Sequence, residues 1–194
     1  MGMCAVELYW IPVAAGTPRA QRASLWLWEA FEAARARRPR ATLYHSALKL
    51  HAGDGVTRTL ELTPEFIGTP EPPIVVGAVF SKPLARWRLF RYQLRELTVE
   101  RLPDEGWAVA SPVCLSEEVA AVERVLRLAP SVPPHTWGRR LHGMKEMWTS
   151  DSAISWLLGT AGVDLTGVRP PPGGRAPGWD AGIRLATGML RGRG

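Results

Sequence analysis

The chain has 194 residues, of which 46% are hydrophobic, and this length and composition suit one domain with a hydrophobic core. Its formal net charge is +6, from 24 Lys and Arg against 18 Asp and Glu. No apolar run reaches the length of a membrane span, and the N-terminus lacks the basic region of a secretory signal. We therefore expect a cytoplasmic protein with a single domain over residues 1–194 and no membrane-spanning segment.

The two cysteines, Cys4 and Cys114, are far apart in the sequence and have no metal-ligand spacing. In a cytoplasmic protein such residues are usually reduced. The sequence thus predicts two buried thiols without a disulfide.

The first predicted elements are a strand and a helix. Residues 5–13 are rich in β-branched and aromatic types, and Pro12 marks the end of this strand. After a turn at residues 16–18, residues 24–37 carry apolar side chains at near-helical spacing, between a capping Ser24 and Pro39.

A β-hairpin is predicted next, because two strand-like runs, residues 42–51 and 56–63, flank Gly53-Asp54-Gly55. If the turn is centred near Asp54, His45 lies opposite Thr63. Glu61 then lies diagonally across on the same face of the hairpin, because its position has the same parity.

The middle of the chain begins with an exposed connection at residues 68–73. Residues 74–80 form a continuous apolar run that predicts a central buried strand, and residues 86–99 predict one strand with a bulge, or two strands. Arginines between Arg86 and Arg101 lie beside aromatic residues, a mixture that suits RNA binding. We favour an amphipathic strand with solvated arginines, so nucleic acid is the less favoured partner.

Two further helices are signalled by their caps. Ser116 precedes two glutamates and an apolar face that ends before Pro130, and a loop of residues 131–138 follows. Thr149, Ser150, Asp151 and Ser152 are all N-cap types that open a short, buried helix ending at Gly162. Such a helix start favours an anion or an activated nucleophile, although the same residues cap ordinary helices. An irregular Pro/Gly-rich segment near residues 168–179 precedes a last helix at residues 180–190 and a frayed C-terminus.

One group of residues suits nucleophilic catalysis, which needs a hydroxyl or thiol near a base that a third group orients. Ser150 would be the nucleophile, His45 the base, and Thr63 or Glu61 the orienting residue. The chain has no phosphate-binding or dinucleotide-binding glycine motif and no histidine pair with metal-ligand spacing. We expect no cofactor and no metal.

Two short segments resemble the permuted papain-like fold of the NlpC/P60 superfamily, including its lecithin-retinol-acyltransferase-like branch. They are Tyr44-His45-Ser46-Ala47-Leu48 and Trp148-Thr149-Ser150-Asp151-Ser152. In that family the catalytic histidine precedes a nucleophilic cysteine at the start of a helix. The resemblance puts His45 at the base position and Ser150 at the nucleophile position, with serine in place of cysteine. The second segment and the Gly-Gly-Arg-Ala-Pro-Gly-Trp sequence of residues 173–179 together resemble a bacterial family.

The sequence thus predicts an α+β fold with a mainly antiparallel sheet of five or six strands packed against the helices at Ser116 and Asp151. The leading function is a papain-like hydrolase or acyltransferase that acts on an amide or ester through Ser150 and His45. An alkoxide is much harder to form than a thiolate near neutral pH. The alternative is therefore a non-catalytic binding or interaction protein that retains the scaffold, in which Ser150 caps its own helix. The residues name neither a substrate nor a protein partner.

Overall fold

A mainly antiparallel β-sheet forms the centre of the protein, with the strand order β4-β5-β3-β2-β1-β6. The computed structural model describes residues 3–13, 15, 29–30, 32–35, 37–65, 72–99, 102 and 104–191. A short strand, β7, pairs with the start of β2 in parallel. The strands are β1 (Val6–Pro12), β2 (Thr42–His51), β3 (Thr57–Pro64), β4 (Val75–Ala78), β5 (Arg91–Leu97), β6 (Val113–Ser116) and β7 (Gly174–Arg175).

Three α-helices follow the main sheet strands in the chain: α1 (Val119–Leu128), α2 (Ser150–Thr160) and α3 (Trp179–Arg191). Helix α2 packs on β2 and β3, and α3 packs against α2. The α+β class and the mainly antiparallel sheet predicted from the sequence are confirmed. Within the described part of the chain, no helix is long and apolar enough to cross a membrane. Short 3-10 helices cover Lys82–Arg86, Arg88–Phe90, Glu105–Trp107 and Ala129–Ser131.

The predicted hairpin is confirmed. Strands β2 and β3 pair in antiparallel register from His51–Thr57 to Leu48–Leu60, around a turn in which Gly55 has a positive φ of 78°. Asp54 accepts a hydrogen bond from the Val56 N–H at 2.9 Å, which is the local bond expected of an Asx turn. Turn chemistry therefore determines this part of the fold locally.

The two faces of the sheet differ in composition. On β2, the even-numbered Tyr44, Leu48 and Leu50 belong to the main core together with residues of α2. The odd-numbered residues of β2 point to the other face of the sheet. There, Ala47 packs in a small cluster with Tyr9 and Ile11 of β1. The parity of a β2 residue therefore decides whether it meets the helices.

The region predicted as central strands is arranged differently. The run at residues 74–80 contains only the four-residue β4, which forms an edge of the sheet, and Val76 is 40% exposed. Residues 86–90 are 3-10 turns, and the strand prediction holds only for β5. Apolar composition does not distinguish a central strand from an edge strand whose side chains pack on one face.

The Ser116 helix begins later than predicted. Ser116 ends β6, its Oγ accepts a hydrogen bond from the Glu118 N–H at 3.1 Å, and α1 starts at Val119 with Glu118 at the N-cap. The serine is used in a local turn because β6 pairs with β1 through Ser116.

The prediction of two reduced cysteines is wrong, because Cys4 and Cys114 form a disulfide with a Cα–Cα distance of 5.7 Å. Cys4 precedes β1 and Cys114 lies on β6, and these strands are hydrogen-bonded neighbours. Sheet pairing thus joins residues that are 110 positions apart in the sequence. Because the two cysteines are not reduced, they give no support to the predicted cytoplasmic location.

Several predicted elements fall outside the described residues. These are the turn at residues 16–18, most of the helix at residues 24–37 and the start of the connection at residues 68–73. Residues 29–30 and 32–35 are helical, in agreement with the predicted first helix.

Candidate functional site

The start of α2 is a buried polar cluster. Thr149, one of the four predicted N-cap types, is the N-cap residue, and Ser150 is the first residue of the helix. The non-catalytic alternative gave the capping role to Ser150, and that detail of it is wrong. The Thr149 N–H donates to Ser152 Oγ at 3.1 Å, which is one half of a capping box. The side chains of this turn lie away from solvent, and Ser150 is only 3% exposed.

Asp151 connects this helix to the sheet. Ser46 Oγ donates to Asp151 Oδ1 at 2.8 Å, and the Ser46 backbone N–H is a second donor to the carboxyl. Burial raises the pKa of Asp151 to about 8, although these hydrogen bonds act in the opposite direction. A helix N-terminus favours an anion by roughly 0.3–2 kcal/mol. Desolvation outweighs that effect here, and the carboxyl is mainly protonated at neutral pH.

The hydroxyls of α2 also hold the segment that leads into α3. Ser155 Oγ donates to the Trp179 carbonyl at 2.8 Å, and Thr149 Oγ1 donates to the Pro177 carbonyl. A Cβ added to Gly178 would lie 2.2 Å from Ser152 Oγ, so this glycine permits the close approach. The start of α2 and the segment of residues 173–179 are therefore packed against each other.

A carboxylate outside the helix completes this contact. Glu146 Oε2 accepts a hydrogen bond from the Gly178 N–H at 2.9 Å, and Glu146 Oε1 lies 3.4 Å from Arg175 Nη2. Thr149, Ser155 and Glu146 thus satisfy backbone groups of a loop that would otherwise be buried without partners.

The second group of predicted site residues lies on the sheet. His45 Nε2 is 3.7 Å from Glu61 Oε1, so the predicted diagonal neighbours do come together. Burial lowers the pKa of His45 to about 4, and burial together with the charge of Asp104 raises the pKa of Glu61 to about 7. Near neutral pH the imidazole is uncharged and the carboxyl is about half protonated. This contact is therefore not a fixed ion pair.

His45 and Ser150 lie on different sides of the sheet. Ser46 points toward α2, where it contacts Asp151, so the neighbouring His45 points toward the opposite face. That face carries Ile11, which pairs with His45 across β1 and β2. No hydrogen bond joins His45 to Ser150, and the proposed nucleophile and base are not brought together.

Thr63 lies on β3, at the position that the register of β2 and β3 would set opposite His45 if it were continued. The recorded pairs of these two strands end at Leu48–Leu60, and on the other side of β3 Thr63 pairs with Gln93 of β5. At the start of β2, β7 pairs with Thr42 and Leu43.

Two sequence signals could have identified these arrangements. The odd positions of β2 include His45, Lys49 and His51, which alternate with largely apolar even positions, so parity indicated that His45 faces away from the helical core. The second signal is the spacing of four between Gly178, Gly182 and Ala186. A Cβ at Gly182 would lie 2.1 Å from the Ser152 carbonyl oxygen, so small residues along α3 permit close packing on α2.

A cavity of about 530 Å³ lies at the other end of α2 and does not join the residues above. Its lining includes Gly159 and, from α3, Asp180 and Arg184. Among the residues that the structure describes, no group of three or more His, Cys, Asp or Glu side chains could hold a metal ion.

Comparisons with known proteins give no relative: no protein-family model matches the chain, and no curated protein and no solved structure matches it.

Proposed function

We propose that this chain is a non-catalytic interaction protein. The observation that carries the proposal is the separation of His45 from Ser150 by the sheet, because a serine nucleophile needs its base within hydrogen-bond reach. A papain-like relationship also stays a proposal, supported by an antiparallel sheet with a buried helix that begins at the predicted serine.

Three polar side chains around Ser150 have structural partners that account for their presence. Thr149 and Ser155 bond to carbonyls of the segment before α3, and Asp151 bonds to Ser46. A buried polar group must be hydrogen-bonded to avoid a cost of roughly 1–3 kcal/mol. These side chains therefore have a role without catalysis.

A fluorophosphonate probe tests the proposal directly, because it reacts with activated serines whatever their substrate. We expect wild type and Ser150→Ala to show the same background labelling, measured by gel fluorescence and intact mass. Labelling of the wild type that disappears in Ser150→Ala would contradict the proposal and support the serine hydrolase or acyltransferase.

Stability measurements on two neighbouring substitutions provide a matched comparison. We expect Thr149→Ala to lower the free energy of unfolding by about 1–2 kcal/mol, since it removes the N-cap hydroxyl, and Ser150→Ala to cost less. Urea denaturation measures both values. A larger loss for Ser150→Ala would assign the capping role to Ser150 instead.

A further inference from the structure

An exposed apolar surface lies at the β4 edge of the sheet, and we call Phe80, Trp87 and Leu89 the aromatic edge. These side chains are 61%, 47% and 61% exposed, respectively. The Val79 N–H donates to the Phe90 carbonyl at 2.8 Å, so Phe80 and Leu89 flank one backbone hydrogen bond. Trp87 packs edge-on against Phe90 with ring centroids 6.2 Å apart. The three exposed residues thus belong to one connected segment.

The backbone of Phe80 is held in an unusual conformation. Its φ is 62°, in the left-handed region that bulky residues rarely adopt. The Phe80 N–H donates to the Trp137 carbonyl at 3.0 Å, and Arg139 Nε donates to the Phe80 carbonyl at 2.7 Å. These bonds keep a strained residue in place with its ring in solvent. Strain of this kind is concentrated at functional positions, and a fixed anchor loses little conformational entropy on binding.

The surroundings of the aromatic edge are basic. Lys82, Arg86 and Arg139 are exposed, and the charge of Lys82 contributes, after burial, to a lowered pKa of His135. Glu65 lies 3.2 Å from Arg88 Nε and 2.9 Å from Arg91 Nε, and each of these contacts is an ion pair. Its charge is therefore already balanced by arginine. Within the described part of the chain, Lys82, Arg86 and Arg139 form no ion pair, and their positive charge favours an acidic partner.

The geometry favours a protein over a nucleic acid. The Arg86 guanidinium lies 3.8 Å from the Trp87 ring centroid, which covers one face of the indole where a base would stack. Tryptophan and arginine in a partly apolar patch are instead the composition of protein–protein hot spots.

We propose that the aromatic edge is a docking surface for an acidic protein segment that inserts an apolar side chain beside Phe80 and Trp87. This inference rests on the proposed function, and it gives that function a surface and a partner chemistry. The acidic groups of the segment contact Lys82, Arg86 and Arg139.

A random-peptide library displayed on phage tests this surface with the full chain as bait. Selection on wild type, with depletion on the Phe80→Ala/Trp87→Ala double variant, should enrich peptides that combine Asp or Glu with an apolar side chain. Synthetic copies of these peptides, measured by fluorescence anisotropy, should bind each single variant at least about tenfold more weakly than wild type. Their binding should also weaken as salt is raised.

Trp107→Ala is the matched control. Trp107 is 60% exposed, and its 3-10 helix contacts β1, which β2, β3 and β5 separate from β4. We expect this variant to bind the selected peptides as wild type does. Far-UV circular dichroism of every variant checks that it is folded.

Four results would overturn the inference: no enrichment, enriched peptides without acidic residues, equal binding to the double variant, or equal loss in Trp107→Ala. Single-stranded RNA and phosphatidylserine vesicles are tested with the same variants. If RNA or vesicles bind wild type but not the double variant, and no peptide is enriched, the aromatic edge is instead a binding site for nucleic acid or for a membrane. These outcomes leave the non-catalytic proposal standing, because only Ser150-dependent probe labelling contradicts it.

Discussion

Gly178→Ala is expected to lower the free energy of unfolding by about 3 kcal/mol or more, since it combines backbone strain with a buried clash. The added Cβ would lie 2.2 Å from Ser152 Oγ and 2.6 Å from the Met147 carbonyl oxygen, and the φ of Gly178 is 89°. Relief requires the chain before α3 to move away from α2, which would break the hydrogen bond between Gly178 and Glu146. Urea denaturation measures the loss.

Gly173→Ala is the control that measures the free-energy cost of the left-handed backbone conformation without a clash. Gly173 has a φ of 76°, and nothing lies within 4 Å of an added Cβ. We expect a cost of about 1–2 kcal/mol for the left-handed conformation. Equal costs for the two substitutions would show that the packing of Gly178 on Ser152 contributes nothing.

Asp151→Asn should change how stability depends on pH. The folded pKa of Asp151, about 8, is above the value of 3.8 for a free aspartate. Between these pKa values the folded state retains a proton that the unfolded state releases. The free energy of unfolding of wild type therefore falls by up to about 1.4 kcal/mol per pH unit as the pH rises. Asparagine has the same shape and no charge. We expect the variant to lose this slope and to be more stable than wild type at pH 8, in urea denaturation over pH 5 to 8.

The comparison between wild type and the variant isolates Asp151 from other titrating groups. Glu61, with its raised pKa, contributes a slope of the same sign in both proteins, and His45, with its lowered pKa, contributes the opposite sign below its free value. Asp164→Asn is the control, because Asp164 is exposed and its pKa is lowered by Thr166. Parallel pH profiles for wild type and Asp151→Asn would mean that Asp151 is ionised in the folded protein.

Local sequence signals predicted those elements that neighbouring residues stabilise. The turn around Asp54 specifies the β2–β3 hairpin because the bonds of the turn are made within the turn itself. The N-cap residues and apolar run near Ser150 predicted α2, since a helix start needs partners only a few residues away. The adjacency of His45 and Glu61 followed from strand parity and register in the same hairpin.

The predictions from the sequence were wrong where the residues that pack against a segment are far away in the sequence. Residues 74–80 were expected at the centre of the sheet, but β4 has β5 on one side and no further strand in the described sheet. The cysteines were expected to be separate, but β1 and β6 bring them together. Hydrophobicity reports that a residue is buried and does not report which residue buries it.

By itself, the sequence determined the α+β class, the hairpin and the buried helix at Ser150, because turn, cap and periodicity depend on interactions within a few residues. Only the tertiary structure decided what that helix does. It packs the helix on the Ser46 face of β2, puts His45 on the other face, and uses the hydroxyls around Ser150 to hold the chain before α3. The physical reason is that catalysis requires two distant segments to meet within hydrogen-bond reach, and the side of a sheet on which they meet depends on long-range packing.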